Sequence, residues 1–150
     1  MKEKPDRFII KKASLEELYQ IHLLIPEFEG EVKIDFYQDR LKDKLHLALV
    51  AEVNGELAGF KVGYESDNPE IFYSWMGGVI PKYRKTGVAK GLADYQEKWA
   101  QENGFHEVFF KTRNRFTAMV MFGLKRGFHI EEVIQKGDVR DYRILMHKRL

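Results

Sequence analysis

The run Val79-Ile80-Pro81-Lys82-Tyr83-Arg84-Lys85-Thr86-Gly87-Val88-Ala89 holds the residue types that bind an anion, at a spacing that can present them. A strand ends, a basic loop turns, and a helix starts at a glycine. The first N–H groups of a helix lack intrahelical acceptors, and the aligned peptide dipoles put partial positive charge there. Such an end holds phosphate. Gly87 and Ala89 have no bulky side chain, so a large anion can approach the backbone. Arg84, Lys85 and Lys90 add charge around it. The loop lacks the Gly-Lys-Ser/Thr of a Walker A motif and the three-glycine spacing of a dinucleotide fingerprint. The competing reading is an ordinary helix start with solvated lysines and a glycine placed for packing.

Other chemistries find less support. Cysteine is absent, which removes disulfides, thiolate metal sites and a cysteine nucleophile. His22, His46, His106, His129 and His147 show no ligand spacing, so no metal is expected. Ser74 is outside any G-x-S-x-G elbow. Lys111, Arg113 and Arg115 interleave with Phe109, Phe110 and Phe116. That pattern fits a nucleic-acid surface, an adenosine phosphate or a solvated edge.

These residues are positioned by one alternating set of elements. Phe8 to Lys12 is β-rich, and Ser14 with Glu17 forms a capping box that opens a helix to about Ile25, stopped by Pro26. Phe28 to Leu41 is acidic, aromatic and partly helical. His46 to Val53 and Glu56 to Tyr64 read as strands around an Asn54-Gly55 turn, and Ile71 to Val79 as a third strand of that meander. The helix from Gly87 to about Gln101 shows Val88, Leu92, Tyr95 and Trp99 on one face. A strand at His106 to Thr112 completes a right-handed parallel crossover. A helix over Phe116 to Lys125 and two last strands, Phe128 to Ile134 and Tyr142 to Lys148, follow. The pattern predicts an α/β (α+β) fold: a mixed, mostly antiparallel sheet of six or seven strands with helices on both faces.

The chain has 150 residues, 44% hydrophobic, 32% charged and 13% aromatic. It shows no repeat or linker, so one continuous domain over residues 1–150 is expected. A net charge of +2 from 25 basic and 23 acidic residues argues against a nucleic-acid or membrane-surface protein. The start, MKEKPDRF, has no apolar core of a secretory signal. The expected location is cytoplasmic.

The run GGVIPKYRKTGVAKGLADY resembles the acetyl-CoA motif of the GNAT family of N-acetyltransferases, V-x-P-x-x-R/Q-x-x-G-x-G/A. AMVMFGLKRGF resembles the family's later helix, which ends in K-x-G-F, and the element order is similar along nearly the whole chain. The resemblance implies the acyl-CoA N-acyltransferase fold, acetyl-CoA as co-substrate, and acetyl transfer to a primary amine by direct attack. It implies that Arg84, Lys85, Thr86, Gly87, Val88 and Ala89 hold the pyrophosphate. Gly78, Val79 and Ile80 would pair with the pantetheine arm as an added strand, one amide polarising the thioester carbonyl. Asn114 would bond the arm, and Phe122 would pack beside the cofactor's tail. A homodimer is plausible in the family.

Two positions depart from the family pattern. The tyrosine that protonates the leaving thiol in many members is Gly123 here, and the strand glutamate that serves some members as base is Tyr73. Tyr73 and then Glu29 are the candidate substitutes; a core position for Tyr73 and a solvated one for Glu29 compete with those roles. Glu29 lies in an acidic stretch with Glu27, Glu31 and Asp35, suited to attracting a cationic amine. Phe28, Tyr37 and Trp75 are candidates for an aromatic acceptor wall, against simple core packing. The alternative to an enzyme is a CoA-binding regulatory or sensor module without turnover.

Overall fold

The computed structural model describes residues 7–28 and 30–150. In chain order these form β1 (Phe8–Lys12), α1 (Leu15–His22), α2 (Asp35–Leu41), β2 (His46–Val53), β3 (Glu56–Glu65), β4 (Ile71–Val79), α3 (Val88–Glu102), β5 (Glu107–Arg113), α4 (Thr117–Lys125), β6 (His129–Ile134) and β7 (Arg143–Arg149). Short 3-10 turns occupy Pro81–Tyr83 and Val139–Asp141. The strands make one seven-stranded sheet in the order β1-β2-β3-β4-β5-β7-β6. Every pairing is antiparallel except β4 with β5, the pair that needs the long α3 crossover.

Alternation in β2 explains why both faces are covered. Leu47, Leu49, Ala51 and Val53 point to one side and join Val88 and Leu92 of α3, with Phe110, Phe128, Ile144 and Met146. Ala48 and Val50 point to the other, where Phe60 and Val62 of β3 meet Leu18 and Ile21 of α1 and Tyr37 and Leu41 of α2. A central strand buried on both faces reads as an apolar run, as LALVAEV does. Asn54 and Gly55, at φ 51° and 83°, supply the left-handed pair of a tight β2–β3 hairpin.

The Ser14–Glu17 capping box is present in both directions. The helix it opens is shorter than expected. It closes at His22, and Leu24 and Ile25 donate instead to Ile21 and His22 in tight turns. Pro26 crowds the helical conformation at the residue before it, which favours this early release. Among the described residues no helix is long and apolar enough to cross a membrane.

The parallel pair is where the sheet opens. β4 and β5 pair only from Ile71, Phe72 and Tyr73 to Glu107, Val108 and Phe109. Both strands then run on without each other, β4 to Val79 and β5 to Arg113. The β3–β4 register skips Trp75, with Ser74 opposite Gly63 and Met76 opposite Val62. A bulge bends its strand and increases local twist, so this one turns β4 away from β5 at the point where their pairing stops.

Candidate active site

The bent half of β4 leads straight into the basic loop. Ile80 donates its N–H to Ala58 O at 2.8 Å, so Ile80 faces β3. By antiparallel alternation Val79 and Gly77 turn their peptide groups to the opposite, unpaired edge. An extended ligand can add there as a strand. Gly78 lies on the α1 side, where an added Cβ would sit 2.5 Å from Ile25 Cδ1; only glycine fits so close an approach.

At the start of α3, Gly87 is the N-cap residue with φ 91°, and no side chain caps the helix. Lys85 is also left-handed, at φ 63°, a sparsely populated conformation for a lysine. Among the described residues the N–H groups of Lys85, Thr86, Gly87, Val88, Ala89 and Lys90 have no acceptor. Alternating hands of backbone conformation gather successive N–H groups into an anion-binding concavity. A Cβ on Gly87 would meet nothing nearer than Phe8 Cε1 at 3.7 Å. The space in front of the N–H groups is therefore open, and a diphosphate group fits these residues. The Thr86 hydroxyl is spent on Tyr83 O, which fixes the turn and leaves the Thr86 amide as its contribution.

Arg84 differs from the expectation. Its backbone N–H bonds Pro81 O at 3.2 Å. Its guanidinium bonds Val79 O at 3.0 Å and grips both carboxylate oxygens of Glu27 at 2.9 and 2.6 Å. This bond to Arg84 holds the Glu27 carboxyl below its usual range. Arg84 thus ties the end of β4 to the segment after α1 instead of offering free donors to an anion. Lys85 and Lys90 are exposed and form no ion pair with the described residues.

The acceptor candidates divide. Tyr37 is fully buried and bonds His22 Nδ1 at 2.6 Å; burial pushes its phenol up. It is a core residue and not part of an acceptor wall. Trp75 does face the α1–α2 side, half-buried, against Phe36 at 5.1 Å and under the Arg40 guanidinium at 4.8 Å. Phe28 stacks on His22 at 4.7 Å and lines a cavity of about 290 Å³ with Tyr19, Glu31 and Lys33. Glu29 lies outside the described residues.

Tyr73 stacks on Phe109 at 4.6 Å and meets Tyr64 edge-on. Burial pushes its phenol up to about 12. Burial disfavours the phenolate, which counts against Tyr73 as a base and favours donation. Its hydroxyl has no hydrogen-bond partner among the described residues. Tyr73→Phe is therefore expected to keep turnover at pH 7.5 within a few-fold of wild type. A hundredfold fall in steady-state rate would return Tyr73 to the chemistry.

Asn114 also departs from expectation. Its Nδ2 donates to Val139 O at 2.7 Å, pinning the β6–β7 connection. Phe122 lines a small cavity at the closed end of the β4–β5 opening, with Lys61, Ser74, Gln96, Glu97, Phe110 and Arg126 among its neighbours. Sequence reasoning missed Lys61. The signal was a lysine between Gly59 and Gly63 in an otherwise apolar inner strand, AGFKVGY.

The basic cluster on β5 is partly neutralised, since Arg113 and Arg115 face Asp141 at 3.6 and 2.7 Å. The sheet also brings together what sequence spacing kept apart: His147 lies 3.2 Å from Glu107 and 3.7 Å from Glu131.

The acetyltransferase (GNAT) family model matches residues 14–128. The chain belongs to the GNAT acetyltransferase family. Solved structures of GNAT fold superpose along nearly its full length. The ribosomal-protein-S18-alanine N-acetyltransferase from Escherichia coli aligns with a TM-score of 0.81 at 16% identity, covering 95% of this chain and 94% of that one. An aminoglycoside 6'-N-acetyltransferase complexed with coenzyme A gives 0.78 at 18%, covering 94% and 96%. A GNAT family acetyltransferase from Elizabethkingia anophelis with acetyl-CoA bound gives 0.76 at 17%, covering 95% and 98%. At these identities the likeness is one of fold. A search of curated proteins finds no match.

Within this GNAT chain, Gly123 is closed to a larger side chain. A Cβ there would lie 2.7 Å from Phe110 Cζ and 2.9 Å from Met146 Cε. The ring of Phe110 occupies the room that a larger side chain at this position of α4 would need.

Proposed function

We propose that this protein is an acetyl-CoA-dependent N-acetyltransferase, acting as one domain, that moves an acetyl group to a primary amine by direct attack. The observation that carries the reading is the row of unpartnered N–H groups from Lys85 to Lys90 opening onto the unpaired edge of β4. Those amides hold the diphosphate, with Lys85 and Lys90 adding charge. The free N–H groups of Gly77 and Val79, with the Gly77 carbonyl, fix the arm as an added strand, between Phe122 and the sheet. Acetyl-CoA supplies an activated acyl group as a thioester.

A β4 amide aimed at the thioester carbonyl stabilises the charge that develops there, an effect of roughly 10²–10³ in rate for one fixed donor. Holding amine and thioester in line supplies much of the rest. The amine nitrogen bonds the carbonyl carbon, the carbon–sulfur bond breaks, and the amine's extra proton leaves through water. Trp75 and Phe28 are the aromatic groups on the acceptor side, and Glu31 offers a cationic amine a charge partner.

Calorimetric titration with acetyl-CoA, followed by thiol release over a panel of polyamines, aminoglycosides and peptide amines, tests this. Binding with thiol release on at least one amine is expected; no binding at millimolar acetyl-CoA removes the reading. The filled space at Gly123 favours one second reading, a coenzyme-A-binding module without turnover. Tight binding with no release on any amine would support that module.

A further inference from the structure

We propose that Lys61 is a catalytic acid of this protein: its ammonium, beside the Gln96 carboxamide, faces the sulfur at the closed end of the β4–β5 opening and gives the departing thiolate its proton. The inference rests on the acetyl-transfer reading above.

Lys61 lies on β3 opposite Gly77, on the α3 side of the sheet, with its stem across that glycine: a Cβ on Gly77 would lie 3.5 Å from Lys61 Cγ. It lines the cavity at the point where β4 and β5 part, together with Ser74 and Phe110, the first residues of each strand beyond the paired segment. The cavity holds about 10 Å³, room for one water-sized group. An arm that enters at the start of α3 and follows the free edge of β4 ends there.

What faces Lys61 leaves its charge unspent. Among the described residues Glu97 of α3 is the single carboxylate lining the cavity, and it is already held by Arg126 Nε at 2.9 Å and by Lys148. Lys61 forms no hydrogen bond or ion pair with the described residues. Gln96 is 1% exposed, and its Nε2 has no partner. Buried donors are almost always satisfied. Gln96 Nε2, left over beside the unpaired Lys61 ammonium at one small cavity, marks a place prepared for an acceptor atom that carries negative charge. A thiolate leaving a thioester is such an atom, and Gly123 has removed the hydroxyl that would otherwise meet it.

Burial brings the Lys61 ammonium down to about 8, with Glu97 opposing the shift and Arg126 adding to it. An ordinary thiol titrates near about 8.5, so donor and leaving group are closely matched, the condition under which proton transfer contributes most at neutral pH. As the carbon–sulfur bond breaks, its electron pair goes to sulfur, the Lys61 proton follows, and the neutral amine recovers a proton from solvent.

The test uses coenzyme A with its free thiol, which needs no acceptor. Bound to wild type, the thiol is expected to titrate at least one pH unit below its value in solution, read from thiolate ultraviolet absorbance. Lys61→Met returns the midpoint to the free value or above while coenzyme A affinity stays within threefold; Lys61→Arg, which keeps the charge, retains part of the shift. Equal midpoints for wild type and Lys61→Met, with both binding, overturn the role of Lys61 and leave the acetyl-transfer reading standing. Failure of wild type to bind coenzyme A overturns both.

Misfolding does not confound the result. The folded value of Lys61 lies below the ordinary lysine value, so its charge costs stability below about pH 8, and that cost fades as pH rises from 8 towards 10.5. Lys61→Met is expected to melt higher than wild type at pH 7, with the gap narrowing by pH 10.

Discussion

Gly87→Glu is expected to abolish acetyl-CoA binding, lowering affinity at least 100-fold, or about 2.7 kcal/mol, by calorimetry. Three effects add. The left-handed backbone at φ 91° disfavours any residue with a Cβ by roughly 1–2 kcal/mol. The carboxylate would occupy the open space in front of the Val88, Ala89 and Lys90 amides, and it would itself satisfy them. Its charge repels the diphosphate. Gly87→Ala separates these causes. A Cβ there has open room around it, with Phe8 Cε1 at 3.7 Å, so only backbone strain is expected, with a loss of roughly tenfold. Equal binding by wild type and Gly87→Glu would remove the diphosphate from the start of α3.

The second large effect is on the frame that opens the sheet. Phe72 is fully buried and packs edge-on to Trp99 at 5.5 Å and Phe105 at 5.2 Å. It lies in the short segment where β4 still pairs with β5, so it anchors the closed end of the cleft to α3. Phe72→Ala deletes a core aromatic and leaves a cavity, which costs about 3–5 kcal/mol. That is a large part of a domain stability of roughly 5–15 kcal/mol. Urea unfolding should show the midpoint falling sharply with an unchanged slope. A loss under about 1 kcal/mol would mean that the ring is not the anchor.

Much of this fold is legible in the sequence. Ser14 and Glu17 mark a helix start because the capping box is local chemistry. Asn54-Gly55 marks the β2–β3 hairpin because the turn itself demands left-handed residues. The family resemblance also led to Gly87, whose type is dictated by its own backbone angle.

Long-range properties were hidden. Tyr37 and Trp75 look alike in sequence, but α2 turns the first onto His22 and Phe60 and leaves the second half-exposed. Arg84 sits where the motif calls for it, yet Glu27, far away in sequence, takes its side chain. Gly123 stands where the family pattern has a tyrosine, and Phe110 fills the room beside it, a contact between α4 and β5 that no local pattern records. Lys61 is the instructive omission: a charge on an inner strand is a physical anomaly even with nothing around it known. The partial pairing of β4 and β5 depends on a bulge at Trp75, and bulges leave little trace in composition.

The most direct test is a crystal structure of the protein soaked with acetyl-CoA. The diphosphate oxygens are expected within hydrogen-bonding distance of the Gly87, Val88 and Ala89 amides, with the arm along the free edge of β4 and its sulfur in the cavity beside Lys61. A coenzyme bound elsewhere on the chain, with those amides facing only solvent, would contradict the account.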